Sequence, residues 1–182
     1  MIMSLKGEVR MNDYRQHLLK QIGITKSVSE IRLLEWCRIS EHNVLSEEFI
    51  REFQGKLSWG AISEFQKLSE GFIREYKDKM FWYNVSKHQK LSEDFIREFQ
   101  PTIRWVAVSE FQNLTDDFII EFQDKILWDI YFQSQKASFN IMKKFLLKSN
   151  MKELVHFKSS HLTVEQKQAI EKMLKLKYMF AK

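Results

Sequence analysis

The sequence predicts an all-α protein, a solenoid of tandem 23-residue repeats that each form two short helices. The segment Leu-Ser-Glu-Asp-Phe-Ile-Arg-Glu at residues 91–98 recurs, with small changes, at residues 45–52, 68–75 and 114–121. The five tryptophans keep the same 23-residue step, at Trp36, Trp59, Trp82, Trp105 and Trp128. A fixed period of this length is typical of repeat architectures, in which each unit buries its apolar face against its neighbours.

The composition supports a packed chain without a membrane span. Of the 182 residues, 44% are apolar, 15 are Phe and 5 are Trp, which is enough for an aromatic core. One Pro and five Gly argue against long flexible linkers. The single cysteine, Cys37, excludes an intramolecular disulfide and fits a reducing compartment. No segment approaches the roughly 20 apolar residues of a membrane span, so we expect an intracellular, cytoplasmic protein.

The net charge of +5 is distributed unevenly. Residues 1–21 carry 4 basic and 2 acidic groups, and residues 22–136 carry 15 basic and 19 acidic groups. Residues 137–182 carry 10 Lys and 3 Glu. The basic character is therefore concentrated at the C-terminal end, and the body of the repeats is slightly acidic.

We expect three parts along the chain. Residues 1–21 predict a lead-in helix, because Tyr14, Leu18 and Leu19 lie near helical spacing. Residues 22–159 predict six repeats, with four regular copies at residues 45–136 and degenerate copies at both ends, as is common for terminal repeats. Residues 160–182 predict a basic capping helix that a capping-box pattern opens at Thr163–Gln166. In the last copy, Ile141, Met142 and Phe145 predict the first helix, and Met151, Leu154 and Phe157 the second.

The first helix of each repeat has a clear pattern, seen best in the copy that starts at residue 91. Leu91, Phe95, Ile96 and Phe99 form one apolar stripe, and Ser92 is a favourable N-cap. The acidic residue that follows the N-cap pairs with an Arg four residues later. These predicted pairs are Glu47–Arg51, Glu70–Arg74 and Glu93–Arg97.

The position of Pro101, which Gly55, Asp78 and Asp124 occupy in the other copies, is predicted to be the junction to a second helix of about ten residues. Its apolar face would carry Ile103, Trp105, Val108 and Phe111. His42 and His88 occupy the position of Phe111 in their copies, so we expect them to be half-buried aromatic substitutes. The tryptophans are interpreted as inter-repeat packing; the competing interpretation is a platform on which nucleic-acid bases stack.

The copies LSEDFIREFQPTIRWVAVSEFQN and LSEGFIREYKDKMFWYNVSKHQK resemble the short LSEDFIREF…W..IS.YQK tandem repeats of proteins from large DNA viruses and phages. The resemblance covers residues 45–136 closely and residues 22–159 loosely. It implies an intracellular viral or mobile-element protein that binds a host factor, and it implies no particular activity. The fourth copy departs from the pattern at Thr115, Ile120 and residues 128–132, where we expect a specialised partner surface.

Catalysis and metal binding have little support in the sequence. The paired carboxylates, such as Glu47 with Glu48 and Asp116 with Asp117, recur in helix first turns, where they favour the positive end of the helix dipole. The five His and Cys37 have no metal-ligand spacing, and there is no Gly-rich phosphate loop. We therefore predict no catalytic residue, no cofactor and no metal site, and an enzyme is the least favoured class.

The positions that vary inside the repeated pattern predict the partner-binding surface. A solenoid presents such positions side by side, so they can change without disturbing the stack. Aromatic and Arg side chains at these positions are typical of interaction hot spots. The predicted partner-binding residues are Phe81, Tyr83, Asn84, Arg104, Val106 and Asp129.

The favoured function is a non-enzymatic protein–protein interaction module. It would be a viral or phage effector that binds and blocks a host protein, for example a protein of antiviral defence. The alternative is a nucleic-acid-binding protein that uses the lysine-rich C-terminal region. The residues for that alternative are Lys143, Lys144, Lys148, Lys152, Lys172 and Lys175. A phosphate-dominated interaction weakens steeply with salt, so salt dependence distinguishes the two hypotheses.

Overall fold

The computed structural model describes residues 2–148 and 160–179, and these residues form helices and turns without a β-strand. The helices are α1 (Ile2–Gln21), α2 (Leu33–His42), α3 (Glu47–Phe53), α4 (Trp59–Phe65), α5 (Glu70–Glu75), α6 (Trp82–His88), α7 (Glu93–Glu98), α8 (Trp105–Phe111), α9 (Asp116–Glu121), α10 (Trp128–Ser134), α11 (Phe139–Phe145) and α12 (Val164–Met179). A short 3-10 helix at Leu146–Lys148 follows α11. The predicted fold class, an all-α solenoid of tandem helix pairs, is confirmed.

The chain divides into two compact units, residues 1–85 and residues 86–182, and the division falls within α6. In the first unit the core includes Leu18 and Leu19 of α1 and the apolar stripes of α2 to α5. In the second unit a continuous cluster joins Trp128, Phe132 and Phe145 to residues of α12. Each unit is therefore a packed body in which successive helix pairs bury their apolar faces.

The first helices begin as the sequence predicts. In the copy at residue 91, the Ser92 hydroxyl accepts a hydrogen bond from the Phe95 N–H at 3.1 Å, and Phe95 and Ile96 are fully buried. Such a cap satisfies one of the free N–H groups of the first turn. Ser46, Ser69, Thr115 and Ser138 cap their helices in the same way.

The second helices are shorter than the sequence predicts. The junction at the position of Pro101 is confirmed, because a turn occupies residues 99–102, but α8 starts only at Trp105 and has 7 residues. The N–H groups of Thr102 and Ile103 both donate to the Phe99 carbonyl at 2.9 Å. The Trp105 indole N–H donates to the Gln100 carbonyl at 3.3 Å and so closes this turn.

The tryptophans pack between repeats, as expected. The Trp59 ring lies 5.0 Å from the Tyr76 ring of the next repeat, and the Trp105 ring lies 5.2 Å from the Phe122 ring. Lys79 and Lys125, also from the next repeat, place their ammonium groups 5.2 and 5.6 Å from these two indole rings. A half-buried indole with an aromatic neighbour and a lysine against it is a packing element rather than an open platform for bases.

The first repeat has no first helix of its own, because residues 22–32 form turns and irregular backbone. The end of α1 takes that place in the core through Leu18 and Leu19, which are 1% and 0% exposed. The Tyr14 hydroxyl donates to Glu48 at 2.6 Å, and Arg15 pairs with Glu52. A helix from outside the repeat pattern therefore covers the N-terminal end of the stack.

The C-terminal part of the second unit closes on an apolar cluster. Ile141, Met142 and Phe145 of α11 are buried, as expected, and the Phe145 ring stacks on Trp128 at 4.4 Å. Ile170 and Leu174 of α12 join this cluster, and Thr163 and Gln166 form the predicted capping box. The predicted second helix of the last copy, with Met151, Leu154 and Phe157, lies outside the described residues.

The contact between successive first helices leads to a prediction on proton binding. The Arg51 guanidinium donates to both carboxylate oxygens of Glu75 at 2.8–3.2 Å, and these hydrogen bonds hold the pKa of Glu75 below its ordinary value. A carboxyl with a lowered folded-state pKa stabilises the fold above its unfolded-state pKa, and the stabilisation is lost as pH falls through the folded-state value. We therefore expect Arg51→Ala to raise the Glu75 pKa toward normal in a carboxyl ¹³C NMR titration.

The control for that titration is Glu30, whose lowered pKa arises from hydrogen bonds with Ser27. Its pKa should be the same in the Arg51→Ala variant and in the parent chain. An unchanged pKa at Glu75 would show that the inter-repeat hydrogen bonds do not persist in solution.

Candidate protein-binding surface

A buried serine links each of the second helices α2, α4, α6 and α8 to the next repeat. The Ser63 hydroxyl donates to the Trp59 carbonyl at 2.7 Å and accepts from the Phe81 N–H at 3.1 Å. Ser109 accepts from the Leu127 N–H at 3.0 Å in the same arrangement. Because this hydroxyl satisfies the N–H at the start of the next second helix, the serine of the motif has a structural role.

A buried glutamine links the repeats at a second point, and the sequence analysis missed it. The Gln112 side chain is 5% exposed, and its amide N–H groups donate to the Ser86 and Gln89 carbonyls at 2.8 Å. Its amide oxygen accepts from the Leu91 N–H at 3.3 Å. Gln66 makes the equivalent three bonds in the first unit. The signal was available, since Gln recurs at residues 66, 89, 112 and 135 with the 23-residue step.

The motif Arg and acidic residues also link successive repeats. The Arg97 guanidinium lies 3.8 Å from Glu93, as the i,i+4 pattern predicts, but it lies 2.9 Å from Glu121 of the next repeat. The hydrogen bonds with Glu121 raise the Arg97 pKa. Glu93 in turn accepts the Thr115 N–H at 2.7 Å. The carboxylates of the first turns are thus engaged in capping the next repeat.

With these positions engaged in packing, the variable positions of the first unit face solvent. Phe81 is 57% exposed and Tyr83 is 47% exposed, although both are large aromatic residues. The Phe81 ring lies over Gly60, because a Cβ placed there would be 3.8 Å from the ring. The Asn84 amide donates to the Gly60 carbonyl at 3.2 Å and to Glu64 at 3.3 Å. Asn84 is half-buried, so it holds α6 against α4 through these hydrogen bonds and adds little exposed area to the surface.

The second unit carries the remaining predicted positions. Arg104 is exposed, and Val106 and Asp129 are half-buried. Leu127, which occupies the position of Arg104 in the next repeat, is 37% exposed. The candidate surface therefore consists of Phe81, Tyr83 and Asn84 in the first unit and of Arg104, Val106 and Asp129 in the second.

A second set of exposed aromatic residues corrects the sequence analysis. Phe111 was expected on the buried face of its helix, but it is 41% exposed, and Phe65 is 55% exposed. His42 and His88, expected to be half-buried, are also exposed. Each of these four residues is the last residue of its helix, in α2, α4, α6 and α8, so it lies at the end of the inner face.

The fourth copy departs from the repeat pattern mainly for packing. Tyr131 and Phe132 were expected to belong to a specialised partner surface, but they are 5% and 0% exposed. Phe132 occupies the position of the linking serine and packs 5.5 Å from the Trp128 ring. Burial also raises the pKa of the Tyr131 hydroxyl well above its ordinary value.

The lysines of the alternative hypothesis lie in different environments. Lys143 and Lys144 of α11 and Lys172 and Lys175 of α12 are exposed. Lys148 instead donates to the Gln123 amide oxygen at 3.1 Å and pairs with Asp124 at 3.3 Å. Lys152 lies outside the described residues.

The described residues contain no group of three or more His, Cys, Asp or Glu side chains arranged to hold a metal ion. Over the same part of the chain, no helix is both long enough and apolar enough to cross a membrane.

The fold and this surface define an all-α helical-repeat protein. Comparison with protein-family models, with curated proteins and with solved structures finds no match to this chain. The class of protein therefore rests on the helix pairs and their 23-residue step, and the function has to be argued from the surface.

Proposed function

We propose that this chain is a non-enzymatic protein–protein interaction module. The observation that carries the proposal is that recurring positions and variable positions of the repeat lie in different environments. The recurring Ser, Gln, Arg and Glu residues are engaged in inter-repeat bonds, whereas Phe81 and Tyr83 stand exposed at positions that vary. Exposed aromatic residues on a rigid scaffold are typical anchors of protein interfaces.

The resemblance of the repeat to those of large DNA viruses and phages motivates the finer part of this proposal. The partner is then a host protein, for example a protein of antiviral defence, and the module blocks it by covering a functional surface of that protein. Steric blocking requires no catalytic group in the module, so exposed, rigidly held anchors are sufficient.

The test is capture of partners by the intact protein, followed by variants of the candidate surface. We expect Phe81→Ala with Tyr83→Ala, and separately Arg104→Ala with Val106→Ala, to weaken partner binding at least about tenfold, since buried anchors typically contribute 2 kcal/mol or more each (about 30-fold). Melting temperatures should change by less than about 3 °C, because the altered groups lie mainly outside the core.

The matched control is Val44→Ala, because Val44 is 93% exposed and apolar but lies outside the candidate surface. It should retain both partner binding and stability. If the Phe81 and Tyr83 variant unfolds, these residues belong to the core; if it binds as well as the parent chain, the partner uses another surface.

A second candidate function is favoured by the exposure of Lys143, Lys144, Lys172 and Lys175, which leaves four cations available to a phosphate backbone. Under this hypothesis the captured molecule would be nucleic acid, lost at high salt or after nuclease treatment. A protein that remains bound at high salt after nuclease treatment would support the interaction module instead.

A further inference from the structure

Second helices pack along the second helix of the preceding repeat in both units: α4 packs on α2, and α10 packs on α8. Two positions of the helix face the preceding one. Phe81, the residue before the tryptophan, lies over Gly60, and Asn84, two residues after the tryptophan, bonds with Gly60 and Glu64. A second helix therefore has a face that is shaped to receive another helix.

Helix α2 has no second helix before it, so this face remains open. Its residues at the corresponding positions are Glu35 and Arg38, and they line a cleft of about 410 Å³ together with His42. Ile31 and Ile39, which are 7% and 5% exposed, form the apolar floor of the cleft. The volume falls within the range of ordinary ligand pockets.

The opposite wall of the cleft is the loop that replaces the missing first helix. Gly23 has a φ of +79°, a conformation that glycine adopts easily, and it lets the chain turn back after α1. The Gln16 side chain donates to the Thr25 and Lys26 carbonyls at 3.3 Å and so ties the loop to α1. The cleft is therefore bounded by two tethered walls.

The charges of the cleft favour an acidic occupant. Lys26 is already paired with Glu35, and this pairing holds the pKa of the Glu35 carboxyl below its ordinary value. Arg38 is exposed, and no ion pair or hydrogen bond of its guanidinium occurs among the described residues. Arg38 occupies the position of Asn84, whose amide lies 3.3 Å from a carboxylate oxygen of Glu64 on the helix before it.

We propose that this cleft is a docking groove for an acidic amphipathic helix of a partner protein, which takes the place of a preceding second helix. Its apolar residues would fill the cleft over Ile31 and Ile39, and its carboxylate would pair with Arg38 as Glu64 pairs with Asn84. Helix-in-groove recognition of this kind uses apolar residues one turn apart as anchors. The groove is separate from the candidate surface around Phe81, so each can be tested without the other.

The probe is a side-chain cross-linked helical peptide of residues 57–66, which reproduces α4 and carries Glu64 as its one charged side chain. Its fluorescence anisotropy is measured against the full chain, beside the same peptide with Glu64→Lys. We expect saturable binding of the Glu peptide, and Arg38→Glu should weaken it at least about tenfold because a charge attraction becomes a repulsion. The same substitution should improve binding of the Lys peptide.

The matched control is Lys67→Glu, which makes the same charge change at an exposed residue outside the cleft and should leave binding unchanged. Absence of saturable binding at millimolar Glu peptide, or equal binding to the Arg38→Glu variant, overturns the proposal. A concentration-dependent dimer of the chain alone that Arg38→Glu abolishes would identify a second copy as the occupant, and it would overturn the assignment to a partner.

Discussion

Replacing Gln112 with alanine is expected to lower the free energy of unfolding by about 3 kcal/mol, a large effect for one polar side chain. The Gln112 amide satisfies the Ser86 and Gln89 carbonyls and the Leu91 N–H, in a site where the side chain is 5% exposed. Without it, three buried backbone groups lose a partner, and each unpaired group costs about 1–3 kcal/mol before relaxation and water entry reduce the sum. Urea denaturation followed by circular dichroism measures the change.

The control is Gln133→Ala, since Gln133 is exposed in the same unit and its replacement should change stability by less than about 0.5 kcal/mol. Gln112→Glu tests the chemistry, because a carboxylate keeps the size of the side chain but cannot donate to the two carbonyls. A Gln112→Glu variant as stable as the parent chain would show that the two carbonyls do not depend on the amide N–H groups.

Phe132→Ser is expected to destabilise the protein by about 4 kcal/mol, although it restores the residue that the preceding repeats have at this position. Phe132 is fully buried, and its ring lies 5.5 Å from Trp128 and 5.7 Å from Tyr131. A serine would leave a cavity that the neighbouring rings cannot fill. Thermal and urea unfolding of the full chain measure the loss.

Two comparisons make this prediction specific. Phe111→Ser removes a phenylalanine that is 41% exposed and should cost less than about 1 kcal/mol. Ser109→Phe forces a large ring into the buried serine site that accepts the Leu127 N–H of the next repeat, and it should also destabilise. If Phe132→Ser left the stability unchanged, packing would not explain why the fourth copy differs from the preceding ones at this position.

The sequence predicted the first helices better than the second ones. Ser92 and the stripe of Phe95 and Ile96 define a helix start and a buried face by local rules alone, and the structure confirms both. The start of the second helix depends on a turn closed by the Phe99 carbonyl and by the Trp105 indole, which is a contact that residue type does not reveal. Because of this turn, α8 starts at Trp105 and has 7 residues, fewer than expected, and Phe111 lies in solvent rather than on the expected inner face.

The candidate surface was predictable from the sequence, whereas the groove beside Arg38 was not. Variation inside the repeat pointed to Phe81 and Tyr83, and the structure places both in solvent. The open groove beside Arg38 had no sequence signal, because it exists only where a loop replaces a helix of the pattern.

The sequence by itself determined the all-α class, the 23-residue step, the helix caps and the role of the tryptophans, because these follow from periodicity and from contacts a few residues apart. Only the tertiary structure decided that Arg97 pairs more closely with Glu121 than with Glu93, and that Gln112 is a buried clamp. Those bonds join groups that are 21–26 residues apart in the chain. Their partners become neighbours only when successive repeats pack, since a short helix is not stable alone in water and takes its final environment from the next repeat.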